Sequence, residues 1–288
     1  MIGRDRPDGI RVKDLPRLRR IMPFIMPRRS DALVFFEQVL DLTQTQAYLD
    51  RWNADPTRAP LTLFQVMIAA IVHTLDERPR LNRFVIGRRL WQRQVIEVSI
   101  SVIKAKDDNA KLTVVKESFT AGQGLAAIRA RVDGAATNGR AARQTASEKE
   151  VDVVTRLPRS IIDLLVWLQK VADHWNLLPA SLIYNDPLYS SLMVTNLGSI
   201  GIDAAWHHLY EHGTLGLFLA MGKAQMMPFV TAAGAVEARP GLTLRYAFDE
   251  RIADGFYAAR SLDLLRSLAE EPWRMERDAD NGPGKATE

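Results

Sequence analysis

Apolar and polar positions along the chain fall into periods that outline its elements. Ala32–Leu42 is rich in Val, Leu and Phe and predicts a strand, followed by a short helix from Thr43 to Trp52. Thr62 and Gln65 have the spacing of a capping box. They open a helix whose apolar face is Val66, Met67, Ala70, Ile71 and Leu75, closed by Pro79. Val98, Ile100 and Val102 alternate with Glu97, Ser99 and Ser101, the period of a half-buried strand. Asp107–Ala110 turns that strand back into Leu112–Lys116 as a hairpin. Gly134–Glu150 is small, polar and aperiodic and reads as a mobile loop, whereas Pro158–Trp175 reads as a strongly apolar helix buried on several sides. Further strands are expected near Ser190–Asn196, at Leu215–Met221 and at Leu242–Phe248, where Leu242, Leu244, Tyr246 and Phe248 share one face. A last helix begins after Asp254 and ends before Pro272, and the polar stretch from Glu276 onward is expected to be disordered. Strands and helices are interspersed without a regular βαβ rhythm. The expected fold is therefore α/β with a mixed (α+β) sheet and packed helices, not a doubly wound one. The expected organisation is an arm over residues 1–29, one domain over 30–275 and a tail over 276–288.

Composition narrows the chemistry. Apolar residues make up 47% of the 288, enough for a sizeable core, and the absence of cysteine excludes disulfides, thiolate nucleophiles and cysteine-held metals. No apolar run reaches the ~18 residues that span a bilayer and no signal peptide opens the chain, so no transmembrane segment and a cytoplasmic location are expected. The net charge of +4 is unevenly placed: residues 1–29 hold nine Arg or Lys against Asp5, Asp8 and Asp14, which leaves the remainder slightly acidic. The basicity thus describes an arm, and nothing resembling a nucleic-acid-binding face accompanies it. Within the arm, Ile21–Pro27 is apolar and flanked by Arg19, Arg20, Arg28 and Arg29. Such a segment suits a membrane-surface or partner anchor. Two prolines in seven residues argue against an amphipathic helix, so packing on the chain's own core or, as preferred, on a neighbouring subunit is expected.

Two segments carry the functional reading. Met193–Gly201 reads MVTNLGSIG, and Phe248–Ala259 reads FDERIADGFYAA at the start of the last helix. Together they resemble the two signature segments of the dihydrolipoamide acyltransferase subunit of 2-oxoacid dehydrogenase complexes, a family that shares its fold with chloramphenicol acetyltransferase. The family's first segment runs Thr-Ile-Ser/Thr-Asn-Leu-Gly with a second Gly following. Its second runs Asp-His-Arg-Val-x-Asp-Gly, then Ala-Ala-Arg. The helix at Leu63–Arg78 with Pro79, Leu81 and Asn82 also looks like the family's Pro-x-Leu-Asn helix, and the similarity covers about residues 20–272. Two motifs in the right order, ~50 residues apart, are far more specific than a lone glycine pattern.

The resemblance implies a chloramphenicol acetyltransferase-like, trimer-forming unit, as a homotrimer or a multiple of three such as a cage, with active sites between subunits. Coenzyme A or an acyl-coenzyme A would be the substrate, and the partner an acyl acceptor or carrier protein. No lipoyl domain and no metal are expected in this chain. Carried over by position, Thr195 is the hydroxyl that supports the oxyanion, Asp254 is the carboxylate that orders the loop, and Glu250 stands where the family has its histidine base. A thiol needs a base with a pKa near neutrality, which imidazole supplies; a carboxylate at ~4.3 is a poor substitute unless burial or Asp254 raises it. Bland readings stand beside these roles: Asp254 as a helix N-cap, Thr195 as an ordinary β residue, Glu250 with Arg251 as a structural ion pair, and Gly198 and Gly201 as turn residues. His208–His212 reads His-x-x-Glu-His, an inverted zinc-protease pattern with His207 beside it, but Gly213 ends any helix at once and zinc catalysis is not the expected chemistry. The expected function is acyl-coenzyme A chemistry at an inter-subunit site, weakened or altered by Glu250. The alternative is a catalytically inactive trimeric or cage-forming subunit that kept the fold.

Overall fold

The four-residue alternation at Leu242–Phe248 lies at the centre of the fold. In the computed structural model, which describes residues 5–103, 112–141, 152 and 154–276, it belongs to a long strand, β10 (Val236–Asp249). The other strands are β1 (Ile10–Arg11), β2 (Leu33–Asp41), β3 (Arg83–Ile86), β4 (Arg89–Gln92), β5 (Ile96–Ile103), β6 (Leu112–Phe119), β7 (Leu192–Asn196), β8 (Leu217–Met221) and β9 (Gln225–Val230). The helices are α1 (Arg17–Ile25), α2 (Thr43–Asn53), α3 (Leu63–Glu77), α4 (Leu125–Ala141), α5 (Arg159–His174), α6 (Ala180–Asn185) and α7 (Gly255–Glu270).

The main sheet runs β2-β10-β8-β7-β5-β6, with β9 pairing the first half of β10, and a small β1-β4-β3 sheet lies apart from it. β5–β7 and β7–β8 are parallel, while the other ladders of the main sheet are antiparallel, so the sheet is mixed as expected. Register assigns the two faces. Leu242, Leu244, Tyr246 and Phe248 join Val98, Leu219 and the helices α3 and α7 in the main core. Met193, Phe218, Ala220 and Ala247 point the other way and are covered by Ala204, Leu209 and Leu215. No helix among the described residues is long and apolar enough to cross a membrane.

Several elements depart from their local pattern. β5 is not half-buried, since Ser99 is fully enclosed and Glu97 nearly so. Its polar side survives burial because each group is paired: the Ser99 hydroxyl donates to the Pro187 carbonyl at 2.6 Å, and Glu97 lies 3.4 Å from Arg93 and 3.7 Å from Lys116. β5 and β6 pair as a hairpin, although Asp107–Ala110 lies outside the described residues. The stretch read as a loop from Gly134 is helical to Ala141, as the last part of α4; residues 142–150 lie outside the described residues. Small residues there let the helix approach β6 and β5, where a Cβ on Gly139 would come within 2.7 Å of Val115.

Two helices show the largest differences. α5 forms, but it is not buried: Leu164, Leu165, Trp167 and Leu168 are 41–58% exposed, and only Asp173 is enclosed, paired with Arg6. Its apolar stripe therefore has no cover among the described residues. α1 also forms, with Pro23 inside it. Pro23 is the seventh of its nine residues, beyond the first turn where proline is tolerated freely, so the helix forms with one i→i−4 bond missing near its end.

α3 is buried all round, beyond the single face its pattern predicts; Val66 through Ala70 are fully enclosed. Its start is set locally. Thr62 Oγ1 accepts from the Gln65 N–H at 3.3 Å while Gln65 Oε1 accepts from the Thr62 N–H at 2.8 Å, a complete capping box. The helix stops at Glu77 because Arg78 precedes Pro79 and is kept out of the helical region, at φ −122° and ψ 64°. Thr62→Ala should destabilise the protein by about 1 kcal/mol and lower its melting temperature by a few degrees in calorimetry. An unchanged melting curve would show that tertiary burial alone holds this helix start.

Candidate functional site

The first signature segment is the end of β7 and the turn after it. Thr195 sits in register with Ala220 of β8, on the sheet face shared with Met193 and Phe218. Asn196 then closes the strand: its Oδ1 accepts from the Ser199 N–H at 3.2 Å and its carbonyl accepts from the Ser199 hydroxyl at 2.7 Å. The glycines of the segment have separate reasons. Gly201 has φ +81°, and a Cβ on Gly198 would lie 2.5 Å from the Gly222 carbonyl oxygen. Both serve the backbone, as their turn reading expects.

The second segment is the exit from β10. The Glu250 N–H donates to the Ala32 carbonyl at 2.9 Å, extending the β2–β10 ladder by one bond. Asp249 and Arg251 are both buried and form a two-pronged pair, Nε–Oδ1 at 2.8 Å and Nη2–Oδ2 at 2.7 Å. Arg251 Nη1 also donates to the Met26 carbonyl at 2.9 Å. The Glu250–Arg251 ion pair is therefore not formed, because Asp249 takes the guanidinium. Asp254 is an N-cap: its Oδ1 accepts from the Tyr257 N–H at 2.8 Å and starts α7.

The arm completes this loop. Arg19 donates to the Glu250 carbonyl at 2.8 Å and reaches to 3.7 Å from the Asp254 carboxylate. Arg29 is buried and donates to the carbonyls of Tyr210, Glu211 and Gly213. The arm is thus fastened to its own chain at Arg19 and Arg29, in line with the expectation that it packs on its own core. Arg19, Arg29 and Asp249 were missed as site-shaping residues. Asp249 lies inside the motif, but partners separated by ~180 to 230 residues leave no periodic trace in the sequence.

The histidine cluster is dispersed. The segment from Ile202 to Tyr210 is not helical, so His208 and His212 lack the one-turn spacing that would aim them together. His212 Nε2 is 2.6 Å from Asp186, and His207 stacks on Phe218 with ring centroids 3.9 Å apart. Among the described residues no group of three or more His, Asp or Glu is arranged to hold a metal. Glu211 instead receives the Arg29 and Ser30 N–H groups at 3.2 and 2.9 Å. Burial opposes its ionisation, but these bonds and the Arg29 charge outweigh that and hold the carboxyl below the usual glutamate range.

Thr195 and Glu250 lie at opposite ends of their strands. Thr195 is level with Ala220 and hence with Arg245, whereas β10 runs on from Arg245 to Asp249 before Glu250 begins. Four residues of strand are ~13 Å. One chain cannot bring the hydroxyl and the carboxylate onto one reacting atom.

The chain has the chloramphenicol acetyltransferase-like fold, built on this mixed sheet. Chloramphenicol acetyltransferase itself superposes with a TM-score of 0.52 at 10% identity, over 91% of this chain and 98% of that one. A probable dihydrolipoamide acetyltransferase from Listeria monocytogenes 4b F2365 matches at 16% identity and TM-score 0.59, covering 95% of this chain and 98% of that chain. The dihydrolipoamide acetyltransferase of Azotobacter vinelandii matches at 18% and 0.61, over 92% and 93%. Residues 180–276, about a third of the chain, match the family model of the 2-oxoacid dehydrogenases acyltransferase (catalytic domain). No curated protein matches by sequence.

The lowered Glu211 group sets a pH window. Its contribution to stability is complete above the usual glutamate range and is lost as pH falls through the lowered folded-state value. Glu211→Gln should therefore reduce the melting temperature at neutral pH, and the gap to the parent should close as melts are repeated at progressively more acid pH. A gap that stays constant down to strongly acid pH would mean that the carboxylate charge contributes nothing.

Proposed function

We propose that this protein transfers acyl groups to or from coenzyme A at a site built between two subunits of a trimer, with Glu250 in the position of the base. The observation that carries this reading is the separation of Thr195 and Glu250 along the strands, which supports a site shared by two chains over one within a single chain. The Azotobacter enzyme was studied for the roles of a serine, a histidine and an asparagine, the last four residues beyond the histidine. Thr195, Glu250 and Asp254 follow the same order and the same four-residue step.

In this site Thr195 would donate to the oxyanion of the tetrahedral intermediate and Glu250 would take the proton of the attacking thiol. Asp254, acting through its cap on α7, and Arg19, acting through the Glu250 carbonyl, position the loop. A carboxylate in place of imidazole makes the reaction weak or shifts it to a different acceptor. The alternative is an inactive subunit that retains the trimer. It is favoured by one observation: Asp249 and Arg251, Asp254 and Arg19 all serve backbone or capping roles that hold the fold whether or not chemistry follows.

Closing a ring of three requires two different apolar surfaces on each chain. The uncovered stripe of α5 supplies one. Leu164→Asp together with Leu168→Asp should shift the particle from a trimer or its multiple to a folded monomer in light scattering. A parent protein that is already monomeric at micromolar concentration would overturn the shared-site reading.

Glu250 is tested in both directions. If it replaces a lost histidine in an otherwise working site, Glu250→His should raise transfer between acetyl-coenzyme A and free dihydrolipoamide, by up to roughly 10²–10⁴-fold. If it is itself the base, Glu250→Gln should abolish a native acyl-transfer activity while the oligomer stays intact, and Thr195→Ala should reduce the same activity. No activity in the parent or in Glu250→His, with an intact trimer, would decide for the scaffold. A parent rate equal to that of histidine-bearing dihydrolipoamide acyltransferases would show that the carboxylate is no handicap.

A further inference from the structure

Helix α1 is fastened to the body along one side only. That side carries Arg19, bonded to the Glu250 carbonyl, and the buried Pro23. The opposite side presents Leu18, Ile21, Phe24 and Ile25, which are 70, 50, 56 and 65% exposed. Exposed Arg17 stands at the start of this stripe, Arg20 along its side and Arg28 just beyond its end, and residues 15–29 contain no acidic side chain. From the adjoining β3–β4 turn, Arg88 lies 5.3 Å over the Phe24 ring.

We propose that α1 is a lipid-surface anchor, laying its apolar stripe among the headgroups of an anionic bilayer with the arginines on the phosphates. A narrow apolar stripe with guanidinium groups on its borders is the pattern of a helix lying in the membrane interface. Charge complementarity makes the same choice: the arm carries +6 on a chain whose remainder is slightly acidic, so an anionic surface attracts this end alone. Of the two prolines expected to prevent such a helix, Pro27 lies just beyond Met26 and Pro23 is accommodated inside the helix on its buried side. Nine residues make a shallow, reversible contact rather than a permanent one. A helix is ~10 Å across, so docking through α1 holds the Glu250 loop about that far from the lipid surface.

The test is flotation of the full chain with vesicles of phosphatidylcholine alone or with about one third phosphatidylglycerol. The expected result is flotation with the anionic vesicles only, weakened by added salt. Leu18→Ser with Phe24→Ser should reduce binding by roughly tenfold or more, because two apolar groups no longer leave water. Arg17→Gln with Arg20→Gln should reduce it while leaving the apolar stripe intact, and both variants should keep the parent circular dichroism and particle size. No flotation of the parent, or equal flotation of the variants, overturns the proposal. A smaller particle in either variant also overturns it, since the stripe would then be a contact between copies. None of these readouts requires acyl transfer, so failure here leaves the proposed function standing.

Discussion

The buried pair between Asp249 and Arg251 ties the end of the central strand to the N-terminal arm. It forms where β10 leaves the sheet, and its outer nitrogen reaches back to the Met26 carbonyl in the arm. Two charges taken out of water gain only if their geometry is good and their remaining hydrogen-bonding capacity is used. Here Asp249 also accepts the Arg251 N–H at 3.1 Å. Removing one partner of such a pair typically costs ~3–5 kcal/mol, because it strands the other charge. That penalty forces the Glu250 loop into one conformation. Glu250 follows from it: with residues 249 and 251 turned inward, the side chain between them is left on the other side of the loop and only half-buried.

Around this pair the arm acts as a clasp. Arg19 holds the loop from one side, while Arg29 and Glu211 lock the end of the arm to the segment before β8. The cost of burying Arg29 is offset by three backbone carbonyls. The arm's basicity, read from the sequence as one property, thus divides into two. Arg19 and Arg29 are structural and point inward. Arg17, Arg20 and Arg28 remain on the surface beside an apolar stripe.

Within one chain the candidate hydroxyl and the candidate carboxylate stand at opposite ends of the strands, and α5 carries an apolar stripe that nothing among the described residues covers. Under the proposed function a neighbouring copy supplies what both lack, and a thiol that Glu250 deprotonates would be held by groups from another chain.

What the sequence determined by itself is what depends on neighbours a few residues apart. The capping box at Thr62, the cap at Asp254, the turn glycines at Gly198 and Gly201 and the shared face of Leu242–Phe248 all follow from local geometry, and each was legible. The two signature segments were legible for the same reason, being short and continuous. The tertiary structure decided the rest. Whether the polar side of β5 faces water depends on Arg93 and Lys116 arriving from other elements. Whether α5 is enclosed depends on what packs against it, and periodicity records that a helix has an apolar stripe but not what covers it. Which acid takes Arg251 was settled by a two-residue competition between Asp249 and Glu250 that only the direction of the strand end could resolve. Pairings across some two hundred residues carry no period, and it is these that place the arm against the loop that holds Glu250.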